Sequence, residues 1–529
     1  MKELPIGIQT FSKLIKGNYL YVDKTKEIHQ LFAKGGEYYF MSRPRRFGKS
    51  LLLSTLEEIF SGNKELFKGL WIYDKIKWEK FPVIHIDFSG LKYGSKDELM
   101  ETLDYLLDEN AKKYKLKLTG KGYDKRFKEL ITELSKKGKV VILIDEYDKP
   151  IIDFIEKKQV ATDNRDILRN FYSTIKGADK YIKFAFITGV SKFSKVSVFS
   201  GLNNLNDITL DDNYSAMLGY TDAELTGYFE QETTNMANHM GVKKNFLLGH
   251  IRKWYNGYSW DGKNFVYNPF SILLLFSKKT FDNYWFTTGT PTFLTQLIRS
   301  KNIDVTAYEN LKVGSFIFES FDIENIEVAS LLFQTGYLTI KEKRMGRFPK
   351  MDYWLNYPNR EVKEAFLRHL LKEYTERNFI EGTKVIDNLS SALEENNVPG
   401  FVETLQSLFA SIPYNIFISD KESYYHTIIY LVLTLTGLTV NAEVQTNQGR
   451  IDAVLETQKN IYIMEFKLGT SLEALNQVKD KKYYQKYLSS RKEITVIGIG
   501  FNRETRNISD YKAEIAQLAS DTTGNTQVK

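Results

Sequence analysis

Five apolar residues, Val140-Val141-Ile142-Leu143-Ile144, run without interruption into two acids, Asp145 and Glu146. A short run with no polar break reads as a strand buried on both faces, as the inner strands of a parallel sheet require. Parallel strands need crossover segments, so helices must alternate with them along the chain. Apolar runs at Tyr38–Met41 and Phe184–Ile187, with a further strand over Pro82–Phe88, supply the rest of the sheet. The first half is therefore expected to be an α/β domain with a mostly parallel sheet.

After Tyr38–Met41 comes Ser42-Arg43-Pro44-Arg45-Arg46-Phe47-Gly48-Lys49-Ser50, then a segment whose apolar residues at 52, 56 and 59–60 suit a helix. Strand, loop, Gly-Lys-Ser and helix make the context of a phosphate-binding loop. Backbone N–H groups and the helix N-terminus attract phosphate oxygens. Arg46, Phe47, Gly48, Lys49, Ser50 and Leu51 are the expected nucleotide-binding residues, with Lys49 neutralising the β- and γ-phosphates and Ser50 holding Mg²⁺. Asp145 is the second expected Mg²⁺ ligand, and Glu146 the group that polarises the attacking water. Thr188, at the end of the Phe184–Ile187 strand, is a candidate γ-phosphate sensor, with Ser191 just beyond it. ATP and Mg²⁺ are the cofactors this pattern calls for. One residue departs from it: Arg43 stands where the loop usually opens with glycine.

Several segments in order resemble the AAA-ATPase-like proteins of gut bacteria and archaea. They are Leu4–Ile8, Tyr21-Val22-Asp23-Lys24-Thr25, Arg43–Ser50, Leu143-Ile144-Asp145-Glu146-Tyr147-Asp148, Trp254–Tyr258, Tyr267–Ser271 and Tyr284-Trp285. The resemblance covers roughly residues 4–290. It implies that Arg43 is tolerated at the start of the loop and that the Tyr21–Thr25 segment lies near the nucleotide base.

The aromatic stretches at 254–260 and 267–271 read as core and turn residues of a small helical lid, with Asn268-Pro269 starting a helix. In the middle region a helix over Ile326–Leu332, a strand over Gly336–Ile340, a basic turn and a strand near Tyr353–Leu355 resemble a winged-helix module. Its turn carries Lys341, Lys343, Arg344, Arg347 and Lys350, which suit either phosphate contact or plain solvation.

The C-terminal part holds the sharpest constellation. Gly449–Leu455 and Ile461–Lys467 read as two strands of a hairpin, and alternation puts Ile463, Glu465 and Lys467 on one face. Asp452 on the partner strand can meet them. Asp…Glu-x-Lys resembles PD-(D/E)XK nucleases: two carboxylates to hold Mg²⁺, and a lysine to steady developing negative charge. Glu422, which opens an apolar helix, and Gln477, on the helix after the hairpin, match supporting positions of that resemblance. Tyr483, Tyr484 and Tyr487 are read onto the same helix as Gln477, and Ile494–Ile499 as the strand that closes the sheet. His426, one helical turn from Glu422, reads as a packed helix residue.

Composition bounds the rest. A chain of 529 residues suits two to four domains. The divisions expected are 1–215 (ATPase-like), 216–290 (lid), 291–410 (winged-helix-like and helical) and 411–529 (nuclease-like). The absence of cysteine excludes disulfides and cysteine-ligated zinc. The N-terminus lacks a signal-peptide apolar core. The longest apolar stretch, Ile428–Val440, falls short of the ~20 residues a membrane span needs, is broken by Thr434, Thr436 and Gly437, and reads as a buried helix. A cytoplasmic protein with no membrane partner is expected. A net charge of +7 permits DNA binding; RNA stays open beside DNA, as does homo-oligomerisation. The leading expectation is an ATPase whose nucleotide state gates a Mg²⁺-dependent DNA nuclease. Its rival is a nucleotide switch whose C-terminal domain binds nucleic acid or a partner without cutting.

Overall fold

The computed structural model describes residues 2–517 except 34, 36, 193–197, 200–201, 203, 286–293, 296, 299–300, 302–304, 319–326, 376–378, 414–421 and 447–448. At 305, 379–380, 422–423, 442–446, 449–450 and 517 it describes the backbone alone. The chain gathers into two compact units, one from Met1–Thr288 with Asn310–Lys363, the other from Gly289–Glu309 with Glu364–Lys529.

The first unit is built on strands β1 (Tyr38–Ser42), β2 (Val83–Asp87), β3 (Val140–Asp145), β4 (Ile182–Gly189) and β5 (Asn206–Asp207), all parallel and ordered β2-β3-β4-β1-β5. Every residue of β1 and β3 is buried, as their unbroken apolar runs demand. Helices Lys49–Phe60, Lys96–Lys113, Tyr123–Ser135 and Lys158–Gly177 accompany the sheet. The topology fixes the site: β4 lies between β1 and β3. The loop after β1 and the acids after β3 therefore leave the same edge of the sheet, the carboxyl ends where open α/β sheets bind ligands.

The region expected to be a lid follows, with a two-stranded pair β6 (Tyr220–Thr221) and β7 (Val266–Tyr267) and helices including Glu230–Met240, Lys244–Tyr255 and Pro269–Lys278. Asn268 caps the last of these, accepting from the amides of Phe270 and Ser271. The N-terminal segment is stitched to this lid. Val22 joins its apolar core, and Lys24 Nζ donates to Glu224 at 2.7 Å and to the Ala216 carbonyl at 2.9 Å.

The same unit contains a three-stranded antiparallel sheet of β8 (Leu311–Gly314), β9 (Thr339–Met345) and β10 (Met351–Asn356), ordered β8-β10-β9, preceded in sequence at β9 by the helix Val328–Thr335. The expected helix–strand–turn–strand order is present, but β9 starts at Thr339 rather than Gly336 and takes in Lys341, Lys343 and Arg344, which leaves Arg347 and Lys350 on the turn; Ile326 of the expected helix lies outside the described residues. Where the unit ends, the helix Arg360–Thr375 begins, and its first turn carries the fully buried Glu361. That carboxyl group meets the Ser271 hydroxyl at 2.9–3.0 Å and accepts from the Trp285 amide at 2.7 Å. Burial raises its pKa to about 8, against the lowering effect of these partners.

The second unit holds helices Phe379–Glu394, Val398–Ala410 and Glu422–Leu435, then a mixed sheet of β11 (Thr439–Thr446), β12 (Gly449–Glu456), β13 (Asn460–Lys467), β14 (Glu493–Asn502) and β15 (Asn507–Gln517) in sequential order. Only β13 and β14 pair in parallel, joined by the helix Ser471–Asp480. Three details depart from the sequence reading. The apolar stretch at 428–440 ends as helix at Leu435, and Thr439 already opens β11. The sheet closes with β15, one strand beyond β14. Tyr483–Tyr487 forms its own short 3₁₀ turn, separate from the helix that carries Gln477. No helix among the described residues is long and apolar enough to cross a membrane.

Candidate functional site

Gly48 adopts φ +93°, the left-handed conformation that lets the loop turn into the helix beginning at Lys49. Arg46 is left-handed too, at φ +65°, and its guanidinium stands 4.8 Å over the Phe270 ring. Lys49 Nζ donates to the carbonyls of Arg43 and Pro44, 3.0 Å each. It is buried, and desolvation lowers its pKa. Ser50, one residue on, lies near enough to Asp145 on β3 to favour its ionised form, though burial outweighs that effect. Burial raises both Asp145 and Glu146 above the ordinary carboxylate range, and Glu146 takes the left-handed φ of +51°. The structure thus brings together Lys49, Ser50, Asp145 and Glu146. Phe47 points elsewhere, into a ring contact with Tyr258 and Trp260 of the lid, and Leu51 is half-buried in the helix.

Thr188 is engaged inside the sheet, donating its hydroxyl to the Met41 carbonyl at 2.9 Å. Ser191 lies on the turn after β4 and is held by Asp148, which accepts from its hydroxyl and amide and from the Val190 amide. Asp148 therefore ties the segment after the acid pair to the end of β4. Its motif is visible in the sequence, but nothing there assigns it this partner.

Arg43 is fully buried. Its guanidinium donates to the carbonyls of Ser42 (2.9 Å), Thr209 (2.8 Å) and Tyr214 (3.3 Å) and lies 3.9 Å from the centre of the Trp260 ring. Desolvation brings it down to about 9, still charged at neutral pH. The next loop residue but one, Arg45, offers its carbonyl to the Trp285 indole at 3.1 Å and to the Asn268 amide at 3.4 Å. The loop is fastened to the lid at both places.

In the second unit, Ala453 pairs with Met464 and Val454 with Ile463, which sets Asp452 beside Glu465. The Asp452 amide points at Glu465 Oε2 (3.4 Å), and the Phe466 amide donates to Asp452 Oδ2 (2.9 Å). Lys467 Nζ stands 3.9 Å from Glu465 Oε1, and Gln477 donates its side-chain amide to that same oxygen. Glu465 has no solvent exposure; burial and then the Asp452 charge raise it to about 8. The helix bearing Gln477 comes this close because Gly498, opposite Glu465 on β14, has no side chain. A Cβ there would lie 2.4 Å from the Ser471 carbonyl oxygen. His426 Nε2 lies 3.8 Å from Asp452 Oδ2, a neighbour the sequence reading did not give it. Glu422 falls on the helix Glu422–Leu435, but its side chain is outside the described residues.

Two family profiles match the chain: "Predicted AAA-ATPase" over residues 5–199 and "PD-(D/E)XK nuclease superfamily" over 420–511. A protein of Azotobacter chroococcum mcd 1, named as an uncharacterized protein in the vnfD 5′ region, is 41% identical over 528 residues, covering 97% of this chain and 99% of that one.

The chain belongs to this AAA-ATPase-like family, with a C-terminal PD-(D/E)XK nuclease superfamily domain.

In this AAA-ATPase-like protein the residues present fit the groups its two domains imply. Asp145, raised by burial, and the nearby Ser50 give two oxygens at the carboxyl edge of the sheet that suit a hard cation. Asp452 and Glu465 crowd two acidic groups at the buried end of a hairpin, an arrangement that a dication relieves. Among the described residues no group of three or more His, Asp and Glu side chains gathers as a metal cage.

Proposed function

We propose that this protein hydrolyses ATP in its first unit and uses the nucleotide state to gate Mg²⁺-dependent cleavage of DNA by its C-terminal domain. The observation that carries the reading is the meeting of Asp452, Glu465, Lys467 and Gln477 at one end of the β12–β13 hairpin. A buried carboxyl group, an adjoining acid and a lysine at this spacing are costly in a domain that only binds.

In the ATPase unit, Lys49 gives up its two loop carbonyls for phosphate oxygens, the backbone of Arg46–Leu51 cradles the phosphates, and Ser50 with Asp145 holds Mg²⁺. Glu146 orients the attacking water. Thr188 at the end of β4 is the candidate γ-phosphate sensor, with Ser191 just beyond it; their hydroxyls are engaged by Met41 and Asp148 and would exchange those partners for phosphate oxygen. In the nuclease domain Asp452 and Glu465 hold the metal ion, with Glu422 and Gln477 supporting them. Bound Mg²⁺ supplies Lewis acidity at the scissile phosphate and a more acidic water. Gln477 fixes one Glu465 oxygen, so the other faces Asp452. Lys467 offers a proton-rich ammonium beside Glu465, where negative charge develops during cleavage.

The test is incubation of supercoiled plasmid and of single-stranded DNA with the full-length protein and Mg²⁺, with and without ATP. Metal-dependent cleavage that changes with ATP supports the reading. Nucleotide-dependent DNA binding with no cleavage under any metal would put the binding switch in its place.

A further inference from the structure

Among the described residues, three of the most exposed large hydrophobic side chains lie on or beside one small sheet: Phe348 (82% exposed), Phe316 (68%) and Met345 (62%). Phe348 sits on the turn joining β9 to β10, Met345 ends β9, and Phe316 lies in the 3₁₀ turn that follows β8. The end of the hairpin is also strongly basic, with Lys343 and Arg344 on β9 and Arg347 and Lys350 on the turn. Between Glu342 and Asp352 lie Lys343, Arg344, Arg347 and Lys350 and no acid. Ion pairs consume part of this charge: Arg344 binds Glu342, Lys343 reaches Asp212 at 3.2 Å, and Asp352 is taken by Lys312 at 2.6 Å. Arg347 and Lys350 form no ion pair among the described residues and are exposed.

The turn is held in shape. Gly346 N–H donates to the Lys350 carbonyl (3.0 Å) and Lys350 N–H to that of Arg347 (2.9 Å). At the hairpin base, Lys341 Nζ donates to the carbonyls of Pro358 (2.6 Å) and Gly257 (3.3 Å). The helix before the hairpin offers no alternative surface, since every residue from Val328 to Gln334 is buried. A helix so covered cannot enter a groove of nucleic acid.

We infer that the β9–β10 hairpin tip is a docking point for single-stranded nucleic acid, with Phe348 stacking on a base and Arg347 and Lys350 contacting the adjoining phosphates. The inference rests on the nucleic-acid reading above. An exposed aromatic ring beside unpaired cations is the combination that holds unstacked bases and their backbone. A duplex keeps its bases stacked and offers Phe348 no face to cover. The charge is also where it is needed, because from Asp420 onward fourteen Lys and Arg stand against thirteen Asp and Glu. The nuclease domain therefore brings little net attraction of its own for a polyanion.

The test is fluorescence anisotropy of a labelled oligothymidylate with the full-length protein in EDTA, so that cleavage plays no part. Phe348→Ala should weaken binding about tenfold or more, and Phe348→Tyr should retain it. Arg347→Glu with Lys350→Glu should lower the slope of log affinity against log salt by about 1.4, the loss of two phosphate contacts to a single strand. Thermal midpoint and ATP affinity should match wild type in each variant, since these side chains are exposed. Wild-type binding in both Phe348→Ala and the double variant, or no oligonucleotide binding by the wild type, would overturn the inference. So would an equal Phe348 dependence with a duplex of the same length, or hairpin-dependent binding seen only with phosphatidylglycerol vesicles. Hairpin-dependent binding in a protein that never cuts DNA would instead remove the nuclease reading and leave this one standing.

Discussion

The amide of Phe466 donates to Asp452 Oδ2 at 2.9 Å, so the strand that carries Glu465 also fixes the direction of its neighbour's carboxylate. Aiming both acids through the backbone requires no side-chain adaptation when a cation arrives, which is the preorganisation a metal site needs. The arrangement also makes the consequences of single substitutions separable.

Asp452→Ala and Glu465→Ala are each expected to abolish phosphodiester cleavage by removing a metal ligand. Lys467→Ala should slow cleavage about 10²-fold or more while leaving Mg²⁺ binding near wild type, because an ammonium steadies charge and ligates no metal. ATP hydrolysis without DNA should be unchanged in all three. Cleavage by Glu465→Ala at the wild-type rate would exclude this hairpin as the site.

Lys49→Ala should eliminate ATP hydrolysis. Glu146→Gln should retain ATP binding while turnover falls about 10²-fold or more. A coupled phosphate-release assay and a fluorescent-nucleotide titration separate the two effects. Undiminished hydrolysis in Lys49→Ala would refute the phosphate-loop assignment.

Glu361 makes a pH prediction with a defined sign. Its folded pKa of about 8 lies above the ordinary 4.5, so the folded state holds a proton that the unfolded chain has released between those values. Its contribution to stability is therefore complete below about pH 4.5 and is lost as pH rises through about 8. The slope is at most about 1.4 kcal/mol per pH unit. Glu361→Gln keeps the shape and a neutral group opposite Ser271 and Trp285. Urea denaturation from pH 5 to 8.5 should show a flatter profile for the variant, and two parallel profiles would count against a protonated Glu361.

Gly498→Ala should destabilise the second unit by about 1–3 kcal/mol, since the new methyl meets the Ser471 carbonyl oxygen at 2.4 Å and the Leu475 amide nitrogen at 2.5 Å, both backbone. Moving that helix also withdraws Gln477 from Glu465, so cleavage should fall with stability. Gly382→Ala, whose methyl meets nothing within 4 Å on the helix Phe379–Glu394, is the control and should not lower the denaturation midpoint.

The strands at the centres of both sheets were legible because burial on two faces leaves an unmistakable apolar run, as at Val140–Ile144 and Ile461–Met464. Strand β15 was not: Asp510, Lys512 and Glu514 face solvent on an edge, so little apolar alternation marks it. Strand β11 was hidden because Leu438-Thr439-Val440 continues the apolar character of the helix before it. The facing of Asp452 and Glu465 could be read from strand period and a short turn. The partners of Arg43 could not, since Thr209 and Tyr214 lie 166 and 171 residues away. Glu361 is similar, with Ser271 90 residues distant. Long-range polar partnerships leave no periodic trace in a sequence.

The buried guanidinium of Arg43 changes what counts as repair in this loop. Restoring the glycine usual at that position would not recreate an ordinary phosphate loop; it would strand the carbonyls of Thr209 and Tyr214 and leave Trp260 facing a hollow the size of an arginine side chain. Positions 43 and 260 are thus expected to be coupled, so that the cost of changing one depends on the residue at the other. A lineage moving between the glycine and arginine forms of the loop must rebuild the lid in the same passage, and grafting this loop onto another ATPase without Trp260 would carry over its letters and lose its architecture.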